Sequence, residues 1–294
     1  MSLNTLEFHI AIPYGGAEEY LIKTLESVLA QTYEDWRLFV ICDKINEIDF
    51  KQLSLNYSDP RIEFESYPDR QGIGKMFNHC LKKLNSDWNL LLGADDLLSP
   101  QFLEGIVEAA TSNPEVYMIQ SRTQIIDSKG KISHPLDDMV KNLVRHRFKS
   151  HVFSSKTAIN SLCIGNWLYF PSIVWSSRAI HDKTFDLNFE IALDLEFIFR
   201  ILIDGGTILY WPKSLFFYRR HAASVSMNPE RYLLRVREEI EVYNSLAKSL
   251  LKNGQFSSAL LARIRLTSRL NLGLKFLTSG QVDKKQLYKL MKSL

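Results

Sequence analysis

Between residues 8 and 110 the chain alternates two hydrophobic periods, and few folds accommodate that alternation. Residues 8–13 form a short apolar run that ends in a turn, and Leu21, Leu25, Val28 and Leu29 follow at the three- and four-residue steps of a helix face. Residues 37–42, 61–66 and 88–92 predict further strands, with a helical stripe at Phe77, Cys80, Leu81 and Leu84 before the last of them. Ser99-Pro100 supplies a cap and a first-turn residue for another helix, whose face carries Leu103, Ile106, Val107 and Ala110 until Asn113-Pro114 stops it. Parallel neighbours need crossover connections, and helices provide them, so the expected fold is α/β with a mostly parallel, Rossmann-like sheet flanked by helices. Ligands of such sheets bind beyond the carboxyl ends of the strands.

Three of those ends carry Pro13-Tyr14-Gly15-Gly16, Cys42-Asp43 and Gly93-Ala94-Asp95-Asp96. Two are acidic. Carboxylates there suit a hard divalent cation, which prefers oxygen ligands, and a nucleotide, whose base and ribose need acceptors. No GxxxxGK[ST] motif occurs and no GxGxxG follows the first strand, so P-loop and dinucleotide-binding chemistries lack their signatures. Asp96 is read equally well as a ligand or as a turn cap, whereas Asp95, an acid closing an apolar strand, needs compensation and is the stronger ligand candidate.

The 294 residues carry a net charge of +3, too little for nonspecific nucleic-acid binding. The charge is uneven. Residues 230–294 hold 13 Lys and Arg against 5 Asp and Glu, while the rest of the chain is acidic overall. In this tail Leu233, Val236, Ile240, Tyr243, Ala247 and Leu250 step helically, and after Asn253-Gly254 a second helical pattern runs through Leu260, Ile264, Leu270 and Leu274. The expected organisation is therefore an α/β domain over 1–228 and a basic helical extension over 229–294, whose charge suits either an anionic membrane surface or a solvated helix face. No segment is long and apolar enough to span a bilayer, and residues 1–7 do not read as a signal peptide. Cys42, Cys80 and Cys163 form neither a disulfide framework nor a zinc motif, which fits a reducing cytoplasm.

Six segments in order resemble the family 2 glycosyltransferases of GT-A fold, over roughly residues 6–226. They are Ala11-Ile12-Pro13-Tyr14, Cys42-Asp43, Gly72-Ile73-Gly74-Lys75-Met76-Phe77-Asn78, Gly93-Ala94-Asp95-Asp96 with Pro100, Ala192-Leu193-Asp194-Leu195-Glu196-Phe197 with Arg200, and Tyr218-Arg219-Arg220-His221 with Ser224 and Ser226. Three departures stand out: Gly93 replaces the first acid of the Asp-x-Asp segment, Lys44-Ile45 replaces a Gly-Ser pair, and Tyr14 comes one position early.

The resemblance implies transfer of a sugar, with inversion, from a nucleoside-diphosphate sugar to a hydroxyl of a saccharide or glycolipid acceptor in surface-polysaccharide synthesis. It implies Pro13, Tyr14, Asp43, Arg70 and Asp95 as donor-binding residues, and Asp95 with His221 as ligands of Mn²⁺ or Mg²⁺. Inversion needs one carboxylate to take the acceptor proton, and Asp194 holds that position, with Glu196 as the next choice. An acid complementing a helix N-terminus is the competing reading of Asp194. Arg219 and Arg220 stand where a diphosphate would be clamped, and Trp167, Tyr169 and Trp175 where aromatic faces would hold an acceptor sugar; packing accounts for them as readily. A sugar-phosphate nucleotidyltransferase is disfavoured by the acidic run after the first strand, Gly15 to Glu19, and a catalytically degenerate relative by the presence of both Asp95 and Asp194.

Overall fold

The computed structural model describes residues 6–43, 47–146, 151–221 and 229–265. Strands β1 (Phe8–Tyr14), β2 (Trp36–Asp43) and β3 (Ile62–Tyr67) alternate with helices α1 (Glu18–Leu29), α2 (Glu47–Asn56) and α3 (Ile73–Lys83), and β4 (Trp88–Leu91) follows. These strands are mutually parallel in the spatial order β3-β2-β1-β4. Alternation along β1 divides the core: Phe8, Ile10, Ile12 and Tyr14 join Leu21, Leu25 and Val28 on one face of the sheet. Ala11 meets Met76, Cys80 and Leu84 on the other.

The second half adds β5 (Leu97–Leu98), α4 (Phe102–Ser112), β6 (Met118–Ile126), α5 (Leu136–His146), β7 (Val152–Phe153), α6 (Ser155–Ile164), β8 (Ile173–Ser176), α7 (Ser177–Ile180), α8 (Leu193–Ile203) and β9 (Ile208–Arg219). Here the sheet becomes mixed. β8 lies antiparallel between β4 and β6, β9 is parallel to β6, and β5 and β7 pair antiparallel with β9. One open sheet with flanking helices results, and its parallel half carries the strand ends singled out above. Helix α4 begins at Phe102 rather than at Ser99-Pro100, because those two residues are tied elsewhere. Ser99 N donates to Leu215 O at 2.9 Å and Pro100 O accepts from Thr32 N at 2.9 Å.

Helices α9 (Pro229–Lys252) and α10 (Phe256–Ile264) follow the tail periodicity, turning at Gly254 with φ of +71°. Val242, Tyr243, Leu246, Ala247 and Leu250 of α9 are buried in the same cluster as Phe197, Ile198, Ile201 and Leu202 of α8. Burying each such Leu or Val stabilises the fold by about 1.5–3 kcal/mol, so α9 is part of the framework that supports α8. Leu270, Leu274 and the basic residues beyond Arg265 lie outside the described residues, as does the expected domain boundary at 228. Among the described residues no helix is long and apolar enough to cross a membrane. All three cysteines are buried.

Candidate active site

A cleft of about 1220 Å³ opens at the carboxyl ends of β1, β2 and β4, and Pro13, Tyr14, Asp43, Arg70, Asp95 and His221 all line it. On its floor His221 Nε2 and Asp95 Oδ2 are 2.8 Å apart. The pairing spans 126 residues and follows from the sheet: Leu97 and Leu98 of β5 pair with Phe217 and Phe216, which carries the end of β9 past the turn after β4. That turn is braced from two sides. The Thr24 hydroxyl donates to the carbonyls of Ala94 and Asp96 at 3.1 and 2.8 Å, and Arg219 Nε donates to Asp95 O at 2.7 Å. The His221 ring also lies 4.9 Å from that of Tyr20.

Asp96 faces away from the cleft. It is 1% exposed, its Oδ1 accepts from Arg219 N at 2.8 Å, and burial, reinforced by the Asp95 charge, pushes its carboxyl well above the usual carboxylate range. It ties the end of β9 to this turn, a long-range contact rather than the local cap ahead of Leu97 that the sequence offered. Gly93 leaves room for it: a Cβ there would come within 2.5 Å of Asp96 Oδ2.

Asp43 ends β2, and its carboxylate accepts from Gln71 N at 2.5 Å and Gly72 N at 3.1 Å. It thereby anchors the loop that carries Arg70, where Gly72 takes φ of +80° just ahead of α3. Tyr14 is buried against Phe50, with ring centroids 6.4 Å apart, and so forms the base of the wall. Asn78 clasps the opposite loop, its Oδ1 accepting from Phe185 N at 2.7 Å and its Nδ2 donating to Phe185 O at 3.1 Å.

Asp194 is the second residue of α8 and is not among the residues that line the cleft. Its Oδ1 accepts from Leu195 N at 2.7 Å, so it does complement the start of its helix. Burial raises its pKa, opposed by that N–H and by the positive charges of Arg235 and Lys141; the Glu239 charge adds to the rise. Glu196 is committed elsewhere, to Arg200 Nε at 2.6 Å. Burial drives the Lys141 ammonium down to about 8; it lies over the Tyr169 ring at 4.1 Å.

Neither arginine of the Tyr218–His221 segment lines the cleft. Arg219 is 1% exposed and braces the Asp95 turn, while Arg220 pairs with the buried Asp138, which also accepts from the Tyr169 hydroxyl at 2.7 Å. Trp167 and Trp175 are core residues. Their places on the cleft wall are taken by Phe77, Phe170, Pro171, Leu187 and Phe189. Sequence reading also missed Tyr20, Lys75, Glu190 and Arg231, all of which line the cleft. Glu190 Oε2 and Arg231 Nη2 are 2.8 Å apart across its rim. Glu190 stands four residues before Asp194, so a wider window on that acidic segment was the only local signal available.

Among the described residues no three His, Cys, Asp or Glu side chains cluster as a self-sufficient metal site. Asp95 and His221 nonetheless present one carboxylate oxygen and one imidazole nitrogen to each other on the cleft floor, a donor pair that suits Mn²⁺ when a ligand supplies further oxygens.

Residues 9–178 match the family model described as Glycosyl transferase family 2. An uncharacterized glycosyltransferase of Rickettsia typhi is 26% identical over 191 residues, covering 64% of this chain and 58% of its own length. One from Methanocaldococcus jannaschii is 22% identical over 231 residues, covering 77% of this chain and 72% of its own. Among solved structures, S. aureus TarS 1-349 in complex with UDP-GlcNAc has a TM-score of 0.70 at 14% identity, covering 98% of this chain and 80% of that one. The mannosyltransferase PcManGT from Pyrobaculum calidifontis, in complex with GDP-Man and Mn²⁺, has a TM-score of 0.57 at 12% identity, covering 99% and 80%. These likenesses show the fold, a single open α/β sheet with flanking helices as in GT-A proteins.

Proposed function

From the premise that this chain belongs to glycosyl transferase family 2, we propose that it is an inverting, metal-dependent enzyme. It moves a sugar from a nucleoside-diphosphate sugar to a hydroxyl of a saccharide or glycolipid acceptor, in the synthesis of a surface polysaccharide. The observation that carries the reading is the Asp95–His221 pair on the floor of a cleft at the carboxyl ends of parallel strands. A divalent cation held by Asp95 and His221 would neutralise charge on the departing diphosphate as a Lewis acid. The donor's base and ribose lie along Pro13, Tyr14, Asp43 and Arg70, and the apolar wall of Phe77, Phe170 and Phe189 shields the reacting end from water.

Asp194 is the general base in this proposal, supported by its place at the head of α8 and by burial that lifts its pKa towards the working range of a base. Glu190 is a second reading of the same role, favoured by its place on the cleft wall, although its carboxylate is paired with Arg231.

Titration calorimetry with UDP, GDP, dTDP and CDP, with and without Mn²⁺, tests the donor site. One nucleotide at 100 times its Kd is expected to stabilise the protein by about 2.7 kcal/mol. Asp95→Ala is expected to reduce its affinity as much as chelator does. Equal affinity with and without chelator would refute the metal, and no binding of any of the four would refute the donor site.

A further inference from the structure

Residues 190–194 carry both candidate bases, yet the loop leading into α8 has no side-chain cap of its own, its N-cap being Ala192. The missing acceptor comes from another helix. Glu238 of α9, 5% exposed, accepts three successive backbone N–H groups: Oε1 from Glu190 at 2.9 Å, and Oε2 from Ile191 at 2.7 Å and Ala192 at 2.8 Å. A buried carboxylate is costly unless it is compensated, and three N–H donors at the head of a helix compensate this one. Arg231 and Arg235 precede Glu238 by seven and three residues, and so share its helix face. Arg231 holds the Glu190 carboxylate at 2.8 Å, and the Arg235 charge acts on Asp194. One face of α9 therefore grips the segment by its backbone at 190–192, by a side chain at 190 and by charge at 194.

We propose that Glu238 is a positioning residue for the transfer reaction, fixing the 190–194 segment so that its carboxylate meets the acceptor hydroxyl. The inference rests on the activity proposed above. Glu238 touches no cleft surface and is separated by 46 to 48 residues from the groups it binds, so it acts on rate through the segment it holds.

The test compares Glu238→Ala and Glu238→Gln with Leu246→Ala, a core substitution in the same helix that makes no contact with the segment through hydrogen bonds. Glu238→Ala is expected to lower kcat about 10- to 100-fold, as misplacement of a catalytic group by around 1 Å does. Donor nucleotide affinity stays within about twofold, because the donor-binding strand ends are untouched. Glu238→Gln keeps a carbonyl oxygen for two of the three donors and is expected to fall between the two. Hydrogen exchange in a peptide spanning residues 186–196 should quicken in Glu238→Ala, beyond any change in Leu246→Ala at matched melting temperature. A purely structural role predicts the same kcat per folded molecule in Glu238→Ala and Leu246→Ala, and that result overturns the proposal; so does unchanged exchange at 186–196. If Glu238→Ala does not fold, the kcat of Glu238→Gln decides, wild-type turnover with wild-type nucleotide affinity being the overturning result. A wild-type protein that turns over no nucleoside-diphosphate sugar refutes the activity itself, which is a distinguishable failure.

Discussion

Replacing Gly93 tests why this chain lacks the first acid of the Asp-x-Asp segment. In Gly93→Ala the new Cβ would lie 2.5 Å from Asp96 Oδ2, 3.2 Å from Asp95 Oδ1 and 3.3 Å from Asp96 Cγ, against the 3.4 Å at which ordinary contact begins. Asp96 must give way by about 0.9 Å, the difference between those first and last distances. It has no free direction, because it is 1% exposed and its other oxygen holds Arg219 N. Overpacking of this kind costs about 1–3 kcal/mol, with the upper end reached if the Arg219 N–H is left unpaired. The melting temperature should fall by about 2–4 °C per kcal/mol in a chain of this general size. Because Asp95 adjoins the displaced group, nucleotide binding in the presence of Mn²⁺ should weaken as well. Gly93→Asp, which restores the acid, is expected to be worse on both counts, since a second carboxylate enters the same space. Calorimetric melting and nucleotide titration measure the two effects. Gly93→Ala melting within about 1 °C of wild type, or Gly93→Asp with wild-type stability and tighter Mn²⁺-dependent binding, would refute the reasoning.

Asp194→Asn is expected to lower turnover by about 10² to 10⁴ with nucleotide affinity retained, while an equal loss in Glu190→Gln with Asp194→Asn active would move the base to Glu190. Because burial raises the Asp194 pKa, the acid limb of kcat/KM should lie above the ordinary carboxylate range, with activity lost as pH falls through it, and a pH–rate profile checks this. The same shift has the opposite sign for folding: a protonated Asp194 favours the native state, that contribution fades as pH rises, and Asp194→Asn should melt no lower than wild type at neutral pH. A chain ending after Arg265 keeps α9 and α10 and is expected to fold, yet to sediment less with anionic vesicles than the full chain; equal sedimentation would count against a membrane role for 266–294.

The strand ends that build the cleft were legible because their signal is local. An apolar run stopped by a turn residue or an acid, with a helical stripe following, fixes β1, β2, β4 and the helices between them, and places Pro13, Asp43 and Asp95 together at the carboxyl ends of these strands. The tail helices were legible for the same reason, their apolar spacing being intact from Leu233 to Leu250. Strand direction in the second half was not. β8 has four residues, all buried, and such a run is the same whether it lies parallel or antiparallel.

Asp95 stood out as an acid closing an apolar strand, and the family resemblance brought His221 and Asp194 forward, but only tertiary structure decided what each carboxylate faces. Asp43 turned out to spend its oxygens on the Gln71 and Gly72 amides, Asp96 on Arg219, and Glu196 on Arg200. The Glu238 clamp and the Glu190–Arg231 pair join groups more than 40 residues apart through backbone and side-chain contacts that leave no spacing rule in the chain. A carboxylate's partner is set by what packs within 3 Å of it, and that depends on how α9 lies on α8. Periodicity records which face of a helix is buried; it does not record against which neighbour.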